Sequence, residues 1–182
     1  MKRRIIQTEF TRRMPAIPKK ELERSCSVAK KLIHAWDVEG DADKVKRIFF
    51  KYAKMLCNPH YWELLRTVWV VAGSTDNADE FRPYFKSKRP CKGWFMTVED
   101  AKELENMVFP MTVYRAYKSE PDPGISWSTD LEFVRRYANG VRKIKEKVIE
   151  REDVFAYISR RHESEIIILY PSDRHRSPRC RR

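Results

Sequence analysis

The hydrophobic pattern of the chain changes near residue 109. Before that point, apolar residues recur every three or four positions, which is the period of a helix with one buried face. The pattern predicts helices over residues 19–36 and 43–56. It also predicts a third helix from Pro59 to about residue 71, apolar on most sides and therefore buried. Residues 78–96 predict no particular element, and Thr97 is the expected N-cap of a short helix.

After residue 109, short apolar runs rich in β-branched residues are separated by turn residues, which is typical of strands. The expected strands cover residues 111–117, 125–128, 141–149 and 166–170, and residues 154–158 form a short apolar segment. Thr129 and Glu132 have the spacing of a capping box, so a helix is expected between the second and third strands, closed by Gly140. Helices in front and strands behind predict an α+β fold.

The same change of pattern predicts the domain organisation of one compact domain. Its expected parts are a basic arm over residues 1–18, a helical N-terminal lobe over 19–108, a small β core over 109–171 and a basic tail over 172–182. No apolar run approaches the ~18 residues that a membrane-spanning helix needs, and the N-terminus does not resemble a signal peptide. The four cysteines are scattered and form no metal-binding motif, as expected for free thiols in the cytoplasm.

The charge of the chain indicates an anionic partner. The 182 residues carry a formal net charge of +12 and a pI near 9.6, with lysines and arginines crowded at both ends. A nucleic acid, a nucleotide or an acidic protein surface is the expected partner, although a protein can be basic without one. No membrane partner is expected.

Two glutamates precede the last apolar run. Glu163 and Glu165 are two positions apart, so on an extended backbone both carboxylates point to the same face. Like charges side by side raise the free energy of the folded state. The pair is therefore interpreted either as two carboxylates of one reaction centre or as the solvated edge of a strand.

Two further polar elements lie inside the β half. Arg115 interrupts an apolar strand, where a charge is unfavourable unless it meets an anion such as a phosphate or an acidic side chain. Ser128 and Thr129 lie where a strand is expected to turn into a helix. Their hydroxyls either orient a neighbouring group or cap the helix.

The order of these elements resembles a known enzyme family. Arginine in Val113-Tyr114-Arg115, then Ser128-Thr129, then Glu-x-Glu before an apolar strand is similar to the mono-ADP-ribosyltransferases of the R-S-E class. This class includes cholera-toxin-like, binary-toxin-like and phage enzymes. The resemblance covers residues 111–171 and implies a split-β core that uses NAD as its substrate. The sequence departs from the family at Asp130, where the family's S-T-S motif has its second serine.

The resemblance also implies roles for single residues. Glu165 would be the catalytic glutamate, and Glu163 would position or deprotonate the acceptor. The NAD-binding residues would be Arg115, Ser128, Thr129, Trp127 and Tyr114. Arg115 would hold the phosphates, and Trp127 or Tyr157 would either stack on nicotinamide or belong to the core. Residues 157–162 would form the mobile loop that selects the acceptor.

The expected function is transfer of ADP-ribose to a macromolecule. Glutamate at position 163 is typical of family members that modify protein arginine, whereas the positive charge favours RNA or DNA. A small cytoplasmic enzyme of this class suggests a bacterial toxin, a defence protein or a phage effector, with an antitoxin or inhibitor as a possible partner. The alternatives are a non-catalytic nucleic-acid-binding protein and, with less support, an RNA 2′-phosphotransferase, whose site is richer in histidine.

Overall fold

The computed structural model describes residues 15–73, 78–122, 124–160 and 163–169. The predicted basic tail and most of the predicted basic arm lie outside these residues. The chain divides into two compact units, which are residues 1–73 with 88–95, and residues 74–87 with 96–182. The sheet unit thus includes helices that the sequence pattern assigned to the N-terminal lobe.

The first unit is helical. Its elements are α1 (Lys19–Asp37), α2 (Ala42–Tyr52) and α3 (Asn58–Ala72), with single 3₁₀ turns at Ala53–Met55 and Lys92–Phe95. Asp41 begins α2, because its side chain accepts a hydrogen bond of 2.8 Å from Lys44 N. Pro59 lies in the first turn of α3. Backbone N–H groups of the first turn have no acceptor within the helix, so a proline there loses no helical hydrogen bond. The three helices expected in this region are present.

Helix α3 forms the centre of this unit. Trp62, Leu65 and Val68 are fully buried, as the apolar pattern predicted. The indole of Trp62 donates a 2.8 Å hydrogen bond to Pro90 O, and Arg89 donates one of 2.7 Å to Leu56 O. These bonds tie residues 88–95 to α3 and to the segment before it, and they satisfy polar atoms that burial would otherwise leave unpaired.

The second unit combines three helices with one antiparallel sheet. The helices are α4 (Ala78–Phe85), α5 (Val98–Asn106) and α6 (Leu131–Ala138). The strands are β1 (Met111–Tyr117), β2 (Ser126–Ser128), β3 (Lys143–Ile149), β4 (Ala156–Arg160) and β5 (Glu163–Ile167), in the spatial order β3-β1-β2-β5-β4. The described residues therefore form the mixed α+β fold that the pattern predicted, with most helices in front of the strands.

The two faces of the sheet are covered by different helices. On the α5 face, Val113, Tyr157 and Ile166 pack with Leu104 of α5. On the α6 face, Tyr114 and Ala116 pack with Val134 and Ala138 of α6. Because alternate side chains of a strand point to opposite faces, this division fixes the face of every side chain in the sheet.

Strand β5 begins earlier than predicted. The expected strand covered residues 166–170, whereas β5 is Glu163–Ile167 and contains both glutamates. Its partner β4 pairs Ile158 with Glu165 and Arg160 with Glu163. Residues 157–160, expected in a mobile loop, are therefore strand, while the rest of that expected loop lies outside the described residues. Glutamate has low strand propensity, so the ladder with β4 decides the boundary that the local pattern misplaced.

Two further properties of the described residues concern membrane spanning and the state of the cysteines. None of their helices is long and apolar enough to span a membrane. Cys26, Cys57 and Cys91 are free thiols, and Cys180 lies outside the described part of the chain.

Candidate active site

A polar row crosses three adjacent strands on the α6 face. Tyr114 of β1 lies directly opposite Ser128 of β2, and Ser128 lies directly opposite Glu165 of β5. Side chains in directly opposed positions have Cβ atoms about 5 Å apart. Glu163 follows on the same face of β5, because it is two residues from Glu165. The sheet thus brings together four of the residues that the sequence singled out.

Ser128 is held rigidly at the end of β2. Its side chain is 6% exposed, and its Oγ accepts a hydrogen bond of 3.0 Å from Asp130 N. Asp130 in turn accepts a hydrogen bond of 2.9 Å from Phe133 N and is the N-cap of α6. The same oxygen lies 3.4 Å from Asp130 O, and Glu165 is the residue directly opposite Ser128 on the neighbouring strand.

The start of α6 differs from the predicted capping box. The cap is Asp130, one residue after the expected Thr129, because the Asp130 side chain accepts the hydrogen bond from Phe133 N. Thr129 N donates a 3.1 Å hydrogen bond to Ser164 O of β5. Asp130, at which the sequence departs from the family motif, therefore serves as the N-cap of α6.

The glutamates lie at the partly exposed end of β5. Glu163 and Glu165 are both half-buried, whereas Ile166 and Ile167 behind them are fully buried. The pair therefore marks the transition from the core to solvent. A substrate that approaches this end of the strand would meet both carboxylates on one face.

Arg115 lies on the opposite face of the sheet. It is one residue from Tyr114, so its side chain shares the α5 face with Val113. The guanidinium is 3% exposed and forms a two-pronged ion pair with Asp122, with Nε to Oδ2 at 2.6 Å and Nη2 to Oδ1 at 3.1 Å. Its Nη1 donates to Ser126 O. The anion that this buried arginine meets is an acidic side chain of its own chain.

The Asp122 carboxylate has a second cationic partner. Lys145 Nζ of β3 lies 3.0 Å from Asp122 Oδ2 and 3.3 Å from Glu120 Oε1. Burial opposes ionisation of the Asp122 carboxyl, but hydrogen bonds from Arg115 and Lys145 outweigh it and lower its pKa to about 2. The backbone of Gly124 packs so closely on the guanidinium of Arg115 that a Cβ there would overlap it. This cluster fastens the loop after β1 to the sheet.

Trp127 and Tyr157 also lie on the α5 face. Trp127 packs against the apolar cluster of that face, and Lys145 Nζ lies 5.8 Å from the centre of its ring. Tyr157 is 3% exposed, and its hydroxyl is 3.4 Å from Ser164 Oγ. Both rings are therefore on the side of the sheet away from Glu165, where they contribute to the core.

Sequence reasoning did not identify Asp122 and Lys145 as partners of Arg115. Asp122 is seven residues after Arg115, between the first two expected strands, and Lys145 belongs to the neighbouring strand β3. The available signal was the buried arginine itself, whose charge requires an anion. The acidic residues of the loop that follows the strand are the first candidates for that anion.

A second buried polar cluster occurs in the helical unit. His60 Nδ1 lies 2.6 Å from Ser25 Oγ, and the same oxygen accepts a 3.2 Å hydrogen bond from Cys57 N. Ser25 is fully buried and His60 is 7% exposed, so these groups join α1 to the start of α3. Burial lowers the pKa of His60 to about 4.

We expect His60 to make the helical unit sensitive to acid. Its folded-state pKa lies below the ordinary value of 6.5, so the stabilisation is full above pH 6.5 and is lost as the pH falls towards 4. Between pH 7.5 and 5, the free energy of unfolding should fall by about 2 kcal/mol because of this group. Urea denaturation of wild type and His60→Asn at both pH values measures this difference. The exposed Ser27→Asn on α1 removes no titratable group, so it is the control and should keep the full pH dependence. An equal pH dependence in His60→Asn and wild type would contradict the assignment.

Comparison of the chain with protein-family models, with curated proteins and with solved structures gives no match.

Proposed function

We propose that this protein is an NAD-dependent mono-ADP-ribosyltransferase that modifies a macromolecular acceptor. In this proposal the five-stranded sheet is the split-β core of such an enzyme. The observation that carries it is the register in which Ser128 lies directly opposite Glu165, with Glu163 on the same face. A serine beside one carboxylate, with a second carboxylate two residues away, matches the order of residues that suggested the enzyme class.

The reaction mainly requires the protein to hold a negative charge beside the ribose of NAD. The bond between the nicotinamide nitrogen and ribose C1′ breaks, and nicotinamide leaves with the electron pair of that bond. Positive charge then grows on the sugar, and a fixed Glu165 carboxylate stabilises this transition state more than the ground state. Ser128, whose Oγ accepts a hydrogen bond from Asp130 N, is the positioning residue for that carboxylate and would turn its O–H from Asp130 O to Glu165.

The second carboxylate serves the acceptor. An acceptor nucleophile forms the new bond to C1′, and Glu163 accepts the proton that this nucleophile loses. The products are the ADP-ribosylated acceptor, nicotinamide and a proton. Because Glu163 is half-buried at the end of β5, it is accessible to a large acceptor.

The proposal assigns Arg115 a different task from the one that the resemblance implies. Its guanidinium is already paired with Asp122 on the α5 face, away from the row that contains Glu165. Arg115 therefore fastens the loop after β1 rather than holding the phosphates of NAD. Trp127 and Tyr157 likewise belong to the core in this proposal, whereas Tyr114 stays beside Ser128 as a candidate NAD contact.

The proposed setting is the cytoplasm of a bacterial cell, where the protein would act as a toxin, a defence protein or a phage effector. A toxin of this kind requires a partner that neutralises it, so an antitoxin or inhibitor is part of the proposal.

Labelled NAD tests the activity and the acceptor class together. The purified protein is incubated with NAD labelled in the adenylate part and with bacterial lysate, and the products are then treated with nuclease or protease. We expect label in macromolecules, and its sensitivity to one of the two treatments identifies the acceptor class. Absence of both label transfer and nicotinamide release would contradict the proposal.

A further inference from the structure

The positive charge of the protein is unevenly divided between the two units. Among the described residues, the helical unit has fourteen lysines and arginines against seven carboxylates, a net charge of +7. The described residues of the sheet unit have thirteen against sixteen, a net charge of −3. Within the described part of the chain, the excess of positive charge therefore lies on the helical unit.

A groove between α1 and α2 concentrates this charge. The groove is open to solvent and has a volume of about 670 Å³. Its cationic lining residues are Lys30, Lys31, Lys44, Arg47 and Lys51, and the other lining residues are Ser27, His34, Ile48 and Tyr52. Residues three and four apart share one face of a helix, so α1 and α2 each present one basic stripe to the groove. The described residues contribute no carboxylate to the lining.

Two of the cations are neutralised and three are not. Lys44 Nζ lies 2.6 Å from Glu39, and Arg47 lies 3.7 Å from Asp41, both at the end of the groove where the helices connect. Lys30, Lys31 and Lys51 are exposed and have no ion pair among the described residues. The middle of the groove is therefore a site of excess positive charge.

An aromatic ring lies close to two of these lysines. Lys31 Nζ is 4.9 Å and Lys51 Nζ is 5.3 Å from the centre of the half-buried Tyr52 ring. Basic residues that follow a phosphate backbone, together with a ring on which a base can stack, form the usual combination in sites for single-stranded nucleic acid. An acidic peptide or a lipid headgroup would use the cations but not the ring.

We propose that the α1–α2 groove binds single-stranded nucleic acid, with Lys30, Lys31 and Lys51 on phosphates and Tyr52 against a base. This inference goes beyond transfer of ADP-ribose and stands on the helical unit alone. A negative transferase assay would therefore not contradict the groove proposal. Absence of nucleic-acid binding would likewise not contradict the proposed roles of Glu163 and Glu165.

The test measures the binding of a fluorescent single-stranded RNA 20-mer to the full chain by anisotropy at several salt concentrations. Releasing three phosphate contacts lowers the slope of log K against log salt by about 2. We therefore expect the variant Lys30→Gln/Lys31→Gln/Lys51→Gln to lose affinity and about 2 units of slope. Glutamine has nearly the helix propensity of lysine, and far-UV circular dichroism checks that α1 and α2 remain folded.

A control of equal charge separates the groove from the total charge. Lys102→Gln/Arg136→Gln/Lys143→Gln removes three exposed cations from the sheet unit and should keep wild-type affinity. Equal weakening of both triple variants, or an unchanged groove variant, would overturn the proposal. It would also be overturned if poly-glutamate or phosphatidylserine vesicles bound as tightly as RNA with the same dependence on the groove lysines.

Discussion

Glu165→Gln is expected to lower ADP-ribose transfer about a thousandfold. The substitution keeps the shape of the side chain and removes its charge. A carboxylate about 4 Å from the developing positive charge contributes roughly 4 kcal/mol at an effective dielectric constant of 20. This energy corresponds to about three orders of magnitude in rate. The rate of nicotinamide release from NAD measures the effect directly, without knowledge of the acceptor.

Two companion variants make this result specific. Glu163→Gln should suppress transfer to the acceptor while NAD hydrolysis continues, because water can replace the acceptor when the second carboxylate is lost. Glu105→Gln, an exposed change on α5, should leave both activities unchanged. An activity of Glu165→Gln within a few-fold of wild type, with an unchanged thermal unfolding midpoint, would exclude Glu165 as the catalytic residue.

Asp122→Asn is expected to destabilise the sheet unit by about 3–5 kcal/mol. The substitution leaves the Arg115 guanidinium buried without its counter-charge, which is the main source of the loss. Urea denaturation at neutral pH measures the effect. The exposed pair of Glu132 and Arg135 is the control, and Glu132→Gln should change the free energy of unfolding by less than about 1 kcal/mol.

The same ion pair predicts a dependence on acid. Asp122 has a folded-state pKa of about 2, below its ordinary value of 3.8. Its contribution is therefore full above pH 3.8 and is lost as the pH falls through 2, by about 2 kcal/mol in total. Asp122→Asn should remove this part of the acid sensitivity.

The Arg115 variant decides between its two interpretations. If Arg115 fastens the loop, Arg115→Lys lowers stability because lysine cannot form the two-pronged pair, and the KM for NAD stays near the wild-type value. A large rise in KM for NAD without loss of stability would instead indicate that Arg115 binds the phosphates of NAD.

Much of the fold could be predicted because local signals agree with tertiary packing. Pro59 marks the start of α3, and the apolar pattern of that helix predicts its burial. Residues 78–96 could not be assigned because prolines and glycine interrupt their pattern, yet Ala78–Phe85 is helical. Its buried Phe85 packs edge to face on Phe155, a contact far along the chain that no local pattern contains.

The candidate site was predictable in composition but only partly in arrangement. The sequence by itself determined which side chains carry chemistry and that Glu163 and Glu165 share a face, because the two-residue period of a strand is a local property. Only the tertiary structure decided that Ser128 lies opposite Glu165, while Arg115 points to the other face and pairs with Asp122. These facts depend on the register between strands, and hydrogen bonds between distant segments of the chain set that register.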